Sequence, residues 1–392
     1  MERLIITHAE VLARDRILSG YSVICEDGLI AEVVPDGACK AQGLTIDAGG
    51  RYLAPGYIDL HIHGLNGKLI DRGRADLEGV MAELPRHGVT AFLPTVTPAE
   101  DEYAMLRDLS GVTAGGAEIV GFFLEGHFLA LTGAIRTLRP DYSADRALRL
   151  QEALGTYGAV FGVSPEIPGI DALIPRMVSR GCPAFITHTK ANFEQTDRAI
   201  QAGARHATHF YDVFPYIGEQ EPGVRGCGTV EAIMAHPEVS VDFILDGEHV
   251  NPGAVRMALA CKGPDAVCLI TDANLNAGMA PGVYKGINDV DVVMEYPGGP
   301  ARERRSDGSA GGLTGSGLTL DLAVQNAVKL LGLSLPQAAA MASANPARVL
   351  GLADRRGRIE KGYRADFSLL DKELSVTECY VAGKKRFQRS SL

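Results

Sequence analysis

No CxxC pair occurs among the seven cysteines (Cys25, Cys39, Cys182, Cys227, Cys261, Cys268 and Cys379). Their odd number and scatter argue for free thiols rather than a disulfide framework. Basic charge is in deficit: 38 Lys and Arg stand against 48 Asp and Glu, a net charge of −10. That balance argues against a nucleic-acid partner, which needs a clustered basic surface, but leaves small anionic substrates open. Apolar runs never reach the length of a membrane helix, and the opening MERLIITHAEV lacks the charged-then-apolar order of a signal peptide. The expected location is the cytoplasm, away from membranes. The glycine-rich GGLTGSG at 311–317 has no Gly-Lys-Ser/Thr after it, and no GxGxxG follows the first barrel strand. Phosphate-loop and dinucleotide chemistry lose their usual support.

What is present is an ordinary soluble composition, 46% apolar and 22% charged, in a chain of 392 residues that can bury a large core. Both ends read as short strands broken by Asp-Gly and Gly-Gly turns, at LIITHAEVLA, YSVICED, LIAEVVP and LTIDAG and again at ADFSLL and VTECYVAGK. Lone hairpins are marginal in water, so the two ends are expected to build one small β-sandwich domain, residues 1–54 with 355–392. Between them, apolar runs alternate with amphipathic segments: 56–63, 89–95, 119–125, 159–166, 183–188, 206–210, 240–246 and 266–272. Eight such strands predict an α/β (β/α)8 barrel, a TIM barrel, over 55–354; a doubly wound sheet gives the same alternation, and the count decides. From 274 to 312 the rhythm breaks in a loop-and-hairpin excursion. Thr314 or Ser316 is expected to cap the helix that follows.

Chemistry in such a barrel gathers at the carboxyl ends of the strands. In strand one, His61 and His63 are two residues apart and share a face. The other strand ends read Glu125, Glu166, His188, His209, Asp246 and Asp272. Taken singly, each has a plain explanation: a helix cap for Glu125 or Asp246, a satisfied core histidine for His188. Together they put imidazoles and carboxylates on one rim, the donor set of zinc or iron(II). His87 and His236 fall at helix ends, and His206 begins its strand at the face opposite the chemistry. His127, two after Glu125, is a candidate for the pocket, and His249, just past strand seven, for holding substrate.

These motifs, in order, resemble the amidohydrolase superfamily: PGYIDLHIHG, LEG, THTKA, ATHFYDVFPYIGEQEPG, DGEHV, LITDA, LTGSGLTL and NPARVLGL. They are most similar to its N-acetylglucosamine-6-phosphate deacetylase branch, from about residue 50 to the end. The resemblance implies a metal-dependent barrel with a terminal β-sandwich, as a homodimer. It implies Glu125, His188 and His209 as principal metal ligands, Asp272 as catalytic carboxylate, and His61 and His63 as holders of a second ion. His249 is then a substrate contact. Zinc is the first choice of ion, iron(II) the alternative. Five residues depart from the pattern. His127 replaces a proline, Asp212-Val213 an Asn-Ala in the substrate run, Gln220 an arginine, and Ile135 a histidine. Losing an amide and a guanidinium works against a phosphate dianion, which charge-assisted bonds hold best. Arg136, Arg139 and Arg225 are candidate replacements.

The expected reaction is amide hydrolysis of a small N-acylated amine, acetyl being the expected acyl group. The rivals are a different, non-phosphorylated or cyclic amide, a phosphoester or pyrophosphate, and, more remotely, a barrel that only binds.

Overall fold

A computed structural model describes residues 3–112, 115–133, 139–286 and 290–390, apart from the Gln220 side chain. Eight parallel strands run in chain order around one sheet: Tyr57–Ile62, Val89–Val96, Phe122–Phe128, Ala159–Val163, Ala184–Ile186, His206–Ala207, Ser240–Ile244 and Val267–Ile270. The last returns to the first through the bridge Ile62 to Ala273 and the bond from the Asp272 amide to the His61 carbonyl, 2.9 Å. The result is a nearly closed barrel. One helix follows each strand, from Arg74–Glu83 to Leu320–Leu331. Apart from Ser240, these strands are buried along their whole length, as sheets covered by helices on the outside and packed within must be. Side chains such as Phe123 and Phe185, packed against the His61 and His206 rings, fill the interior, so the barrel is a packed core.

The two chain ends meet in a second sheet. Phe367–Leu370 pairs antiparallel with Tyr52–Pro55, in register from Phe367 opposite Pro55 to Leu370 opposite Tyr52. Hydrogen bonding then runs through Arg3–Leu12, Ile17–Glu26 and Leu29–Pro35 on one side, and Val376–Val381 and Lys384–Gln388 on the other. Leu4, Ile6, Val11, Val23, Leu53, Phe367 and Tyr380 give this sheet a core of its own.

The excursion is more regular than its sequence suggests. Gly282–Lys285, Asp291–Met294, Arg302–Arg304 and Ala310–Leu313 form a four-stranded antiparallel meander around Val292, Met294 and Ala301. The expected cap is corrected: Thr319, not Thr314 or Ser316, is the N-cap of the Leu320 helix. Thr314 and Ser316 are instead spent on backbone, since the Ser316 hydroxyl accepts from the Leu318 amide (2.9 Å) and Thr314 faces the Ala301 carbonyl. All seven cysteines are free. Among the described residues no helix is long and apolar enough to cross a membrane.

Candidate metal centre

The carboxyl rim gathers side chains that lie more than 200 residues apart in the chain. Glu125 stands at its centre. Its Oε1 lies 3.2 Å from His188 Nε2, 3.2 Å from His209 Nε2 and 3.5 Å from His61 Nε2, while Oε2 lies 3.1 Å from His63 Nε2. Asp272 Oδ1 is 3.5 Å from Nε2 of both His61 and His63. His61, Glu125 and His209 each place one donor atom within 4.8 Å of the others, and so do His61, His63 and Asp272. The rim thus offers two overlapping triads that share His61.

Each imidazole is aimed by its other nitrogen or by its backbone. His188 Nδ1–H donates to the Leu131 carbonyl at 3.1 Å, and His209 Nδ1–H to the Asp212 carbonyl at 3.2 Å. Those bonds put the proton on Nδ1 and leave Nε2 as the donor atom. His188, His209 and Asp272 carry φ values of 47°, 34° and 45°, the left-handed region that residues with a side chain avoid. Such residues cost about 1–3 kcal/mol each and persist where the surroundings over-determine them. Here the turn at the strand end swings the side chain across the mouth of the barrel. Gly133, at φ +52°, packs against the His188 ring: a Cβ there would lie 2.7 Å from its Cε1, so only glycine fits.

Nitrogen and oxygen lone pairs brought this close repel unless a proton or a cation lies between them. Protons can serve: against the pull of burial, the bond to Glu125 and its charge raise His63 to about 9 and His209 to about 10. Burial also opposes the charge on Glu125, but the imidazoles outweigh it and hold the carboxyl well below its usual range. A divalent ion satisfies the same atoms and displaces those protons. The donor set therefore fits zinc or iron(II).

His249 lies beside this cluster, its side chain only 4% exposed. Its Nδ1–H donates to Asp246 Oδ2 at 2.5 Å, and the backbone amides of Glu248 and His249 donate to Asp246 Oδ1 at 2.9 Å. Asp246 is thus an orienting carboxylate for His249 rather than a helix cap. Glu248 is held in turn by Tyr296 and Arg302 of the meander, which tethers that sheet beside the site. Glu166 accepts from the Thr189 hydroxyl and from the Lys190 amide, and shapes the loop after strand five.

The remaining candidates divide. The structure does not bring His127 into the pocket; the ring is fully buried 3.7 Å from Glu102 Oε2 and close to Arg146. Gly126, at φ +92°, breaks the alternation that would have aligned it with Glu125. Asp212 is half-buried at the rim, and Val213, at φ 54°, gives its carbonyl to the Thr189 amide. Ile135 and Arg136 lie outside the described residues. Gln220 belongs to the hairpin strand Glu219–Glu221. Of the proposed replacements, Arg139 donates to the Glu100 carbonyl and Arg225 pairs with Glu231 at 2.7 Å. The roles of Thr187, Thr208 and Asp242 around the ligands were not read from sequence; a charged residue inside the apolar run SVDFILD was the available signal. Thr187 Oγ1 is 3.0 Å from His209 Nε2.

The amidohydrolase family profile matches residues 304–388. The N-acetylglucosamine-6-phosphate deacetylase of Lysinibacillus sphaericus is 32% identical over 381 residues, covering 93% of each chain. The Danio rerio enzyme of the same name is 30% identical, over 88% of this chain and 86% of its own. The solved structure of a mutant N-acetyl-D-glucosamine-6-phosphate deacetylase from Mycobacterium smegmatis, in complex with N-acetyl-D-glucosamine-6-phosphate, superposes with a TM-score of 0.84. It is 28% identical, over 99% of this chain and all of that one.

Proposed function

Because the chain belongs to the amidohydrolase superfamily, in its N-acetylglucosamine-6-phosphate deacetylase branch, we propose that it is a metal-dependent hydrolase that removes an N-acyl group, acetyl foremost, from an amino sugar. The observation that carries the reading is Glu125 set among four imidazoles with Asp272 beside them at the open end of the barrel. Glu125, His188 and His209 would hold the principal ion, and His61, His63 and Asp272 a second. Such an ion supplies Lewis acidity at the acyl oxygen and makes a water acidic enough to yield hydroxide near neutral pH.

The chain's own groups do the rest. Asp272, part exposed, takes the proton from the attacking water and returns one to the leaving amine. General acid–base help of this kind is worth about 10²–10⁴-fold. His249, locked by Asp246, presents a fixed donor to the substrate as negative charge develops on the acyl oxygen. Its pKa is raised: burial pulls down, but the Asp246 bond and charge, with Asp272 and Asp212 nearby, pull harder upward.

A second reading keeps the bond and drops the phosphate. The Asp212 carboxylate makes no ion pair among the described residues, and Arg139 and Arg225 are already engaged elsewhere. An uncharged N-acyl amine suits that rim better than a dianion. Among the relatives, one from Escherichia coli O157:H7 is named for N-acetylgalactosamine-6-phosphate, so the sugar itself varies within the branch. Acetate release by the zinc- or iron(II)-loaded protein from N-acetylhexosamines, with and without the 6-phosphate, tests both readings. Release from neither, with metal bound, removes the proposal; a preference for the free sugar selects the second reading.

The same reading takes residues 1–54 with 355–392 as a β-sandwich domain beside a barrel of 55–354, supported by the separate core of the terminal sheet. It takes zinc as the ion, a homodimer as the assembly and the cytoplasm as the location.

A further inference from the structure

Inside the barrel, beneath the rim, a chain of polar side chains crosses from strand seven to strand one. Asp242 is wholly buried in the middle of Ser240–Ile244. Its carboxylate accepts three donors. The His209 amide lies 2.5 Å from Oδ1, the Thr208 hydroxyl 3.0 Å from Oδ2, and His206 Nε2 2.8 Å from Oδ2. Thr208 Oγ1 in turn lies 3.3 Å from His61 Nδ1. His206, Thr208 and His61 are each 1% exposed or less. Phe123 packs against the His61 ring at 4.8 Å and Phe185 against the His206 ring at 4.4 Å, so the chain runs through an apolar wall.

The direction of each bond follows from what the groups can do. An ionised carboxylate only accepts, so the single Thr208 hydrogen points at Asp242. Oγ1 then has only lone pairs left for His61, and the proton between them must belong to His61 Nδ1. That tautomer leaves His61 Nε2 unprotonated, and Nε2 is the atom that faces His63, Glu125 and Asp272. The same carboxylate grips the backbone of His209 at the residue whose φ is 34°. A single buried charge therefore acts on ligands from two different strands. His188 and His209 have carbonyls as orienting partners; the His61 ring has none among the described residues, and the Asp242–Thr208 pair stands in that place.

We propose that Asp242 is a positioning residue of the metal centre, setting the tautomer of His61 through Thr208 and the strand-end turn at His209, with His206 as the partner that keeps its carboxylate satisfied. The inference rests on reading His61 and His209 as metal ligands. Removing a partner that orients a ligand typically weakens metal binding about 10–100-fold.

The direct test is zinc affinity of the full-length protein, by competition with a chromophoric chelator, for the wild type and the variants Thr208→Val and Thr208→Ser. The expected result is a loss of about 10–100-fold in Thr208→Val, recovered in Thr208→Ser, with a changed visible spectrum when cobalt(II) fills the valine variant. Should the valine variant fold poorly, Asp242→Leu combined with His206→Phe removes the whole buried polar pair and replaces it with apolar bulk. That double variant leaves the Thr208 hydroxyl and the His209 amide without their acceptor, so it is expected to fold, to melt somewhat below the metal-free wild type, and to bind zinc weakly. Wild-type affinity in Thr208→Val, or in the double variant, makes the chain a packing feature and overturns the inference alone. A wild-type protein that binds no zinc, iron(II) or cobalt(II) overturns the metal reading, and this inference with it.

Discussion

Glu102 and Glu125 are both buried carboxylates at the same end of the barrel, one opening the helix after strand two and the other on strand three, yet they are satisfied in opposite ways. Glu102 meets Arg146 in a two-pronged pair, Nε at 3.0 Å and Nη2 at 2.8 Å, and Arg146 Nη1 goes on to bond the carbonyls of His127, Arg139 and Asp141. Each guanidinium nitrogen has an acceptor, and the pair is closed. Glu125 is surrounded by imidazoles whose far nitrogens are largely committed to carbonyls and hydroxyls, while their near nitrogens converge on it. That arrangement is complete only with protons or a cation in the middle. Buried charge alone therefore does not mark a functional site; charge whose partners all point inward, and which no fixed cation neutralises, does.

Breaking the open cluster should have the largest effect. Glu125→Gln keeps the shape and removes the charge; zinc content measured after dialysis should fall below one-tenth of the wild-type value, and acetate release should vanish. Retained metal in that variant would erase the contrast between the two sites. Asp272→Asn should lower kcat by about 10²–10⁴-fold with at least one ion still bound through Glu125, His188 and His209, as a steady-state assay paired with metal analysis will show.

Breaking the closed cluster should cost stability rather than chemistry. Arg146→Met strands Glu102 in the interior, and urea unfolding should report a loss of about 3–5 kcal/mol. The pH dependence sharpens the point. Burial raises the Glu102 pKa, but the bond and the charge of Arg146 lower it by more, so the folded value lies below the ordinary one. Its contribution should be complete above the unfolded value of about 4.3 and fade as pH falls through the depressed folded value. In Arg146→Met that acid-side slope should shrink. The smallest effect is expected at His127, whose ring nitrogens make no hydrogen bond among the described residues and whose pKa burial and Arg146 push down to about 4. As a buried neutral ring without partners it contributes little polar energy, and His127→Leu should change stability by about 1 kcal/mol or less, judged by the same urea midpoint.

Much of this was legible in the chain. Eight apolar runs, each ending in a polar residue, were enough to place strands and to list Glu125, His188, His209 and Asp272 at one rim, because parallel strands put their carboxyl ends on one face. The pairing of both chain ends followed from the need of hairpins for more strands. Other features were not legible. His127 shares the parity of Glu125, and only the turn at Gly126 sends its ring away from the mouth. His206 stood at what looked like the idle end of its strand, yet it serves the rim through Asp242 and Thr208.

Residue order by itself determined which donors exist and the strand end at which each sits, since period and alternation are local properties of a chain. Tertiary structure alone decided which nitrogen of each imidazole faces inward, which carboxylate is closed by an arginine and which is left open. Those outcomes depend on carbonyls, hydroxyls and guanidinium groups brought from distant segments. Hydrogen-bond direction is set only when both partners are in place.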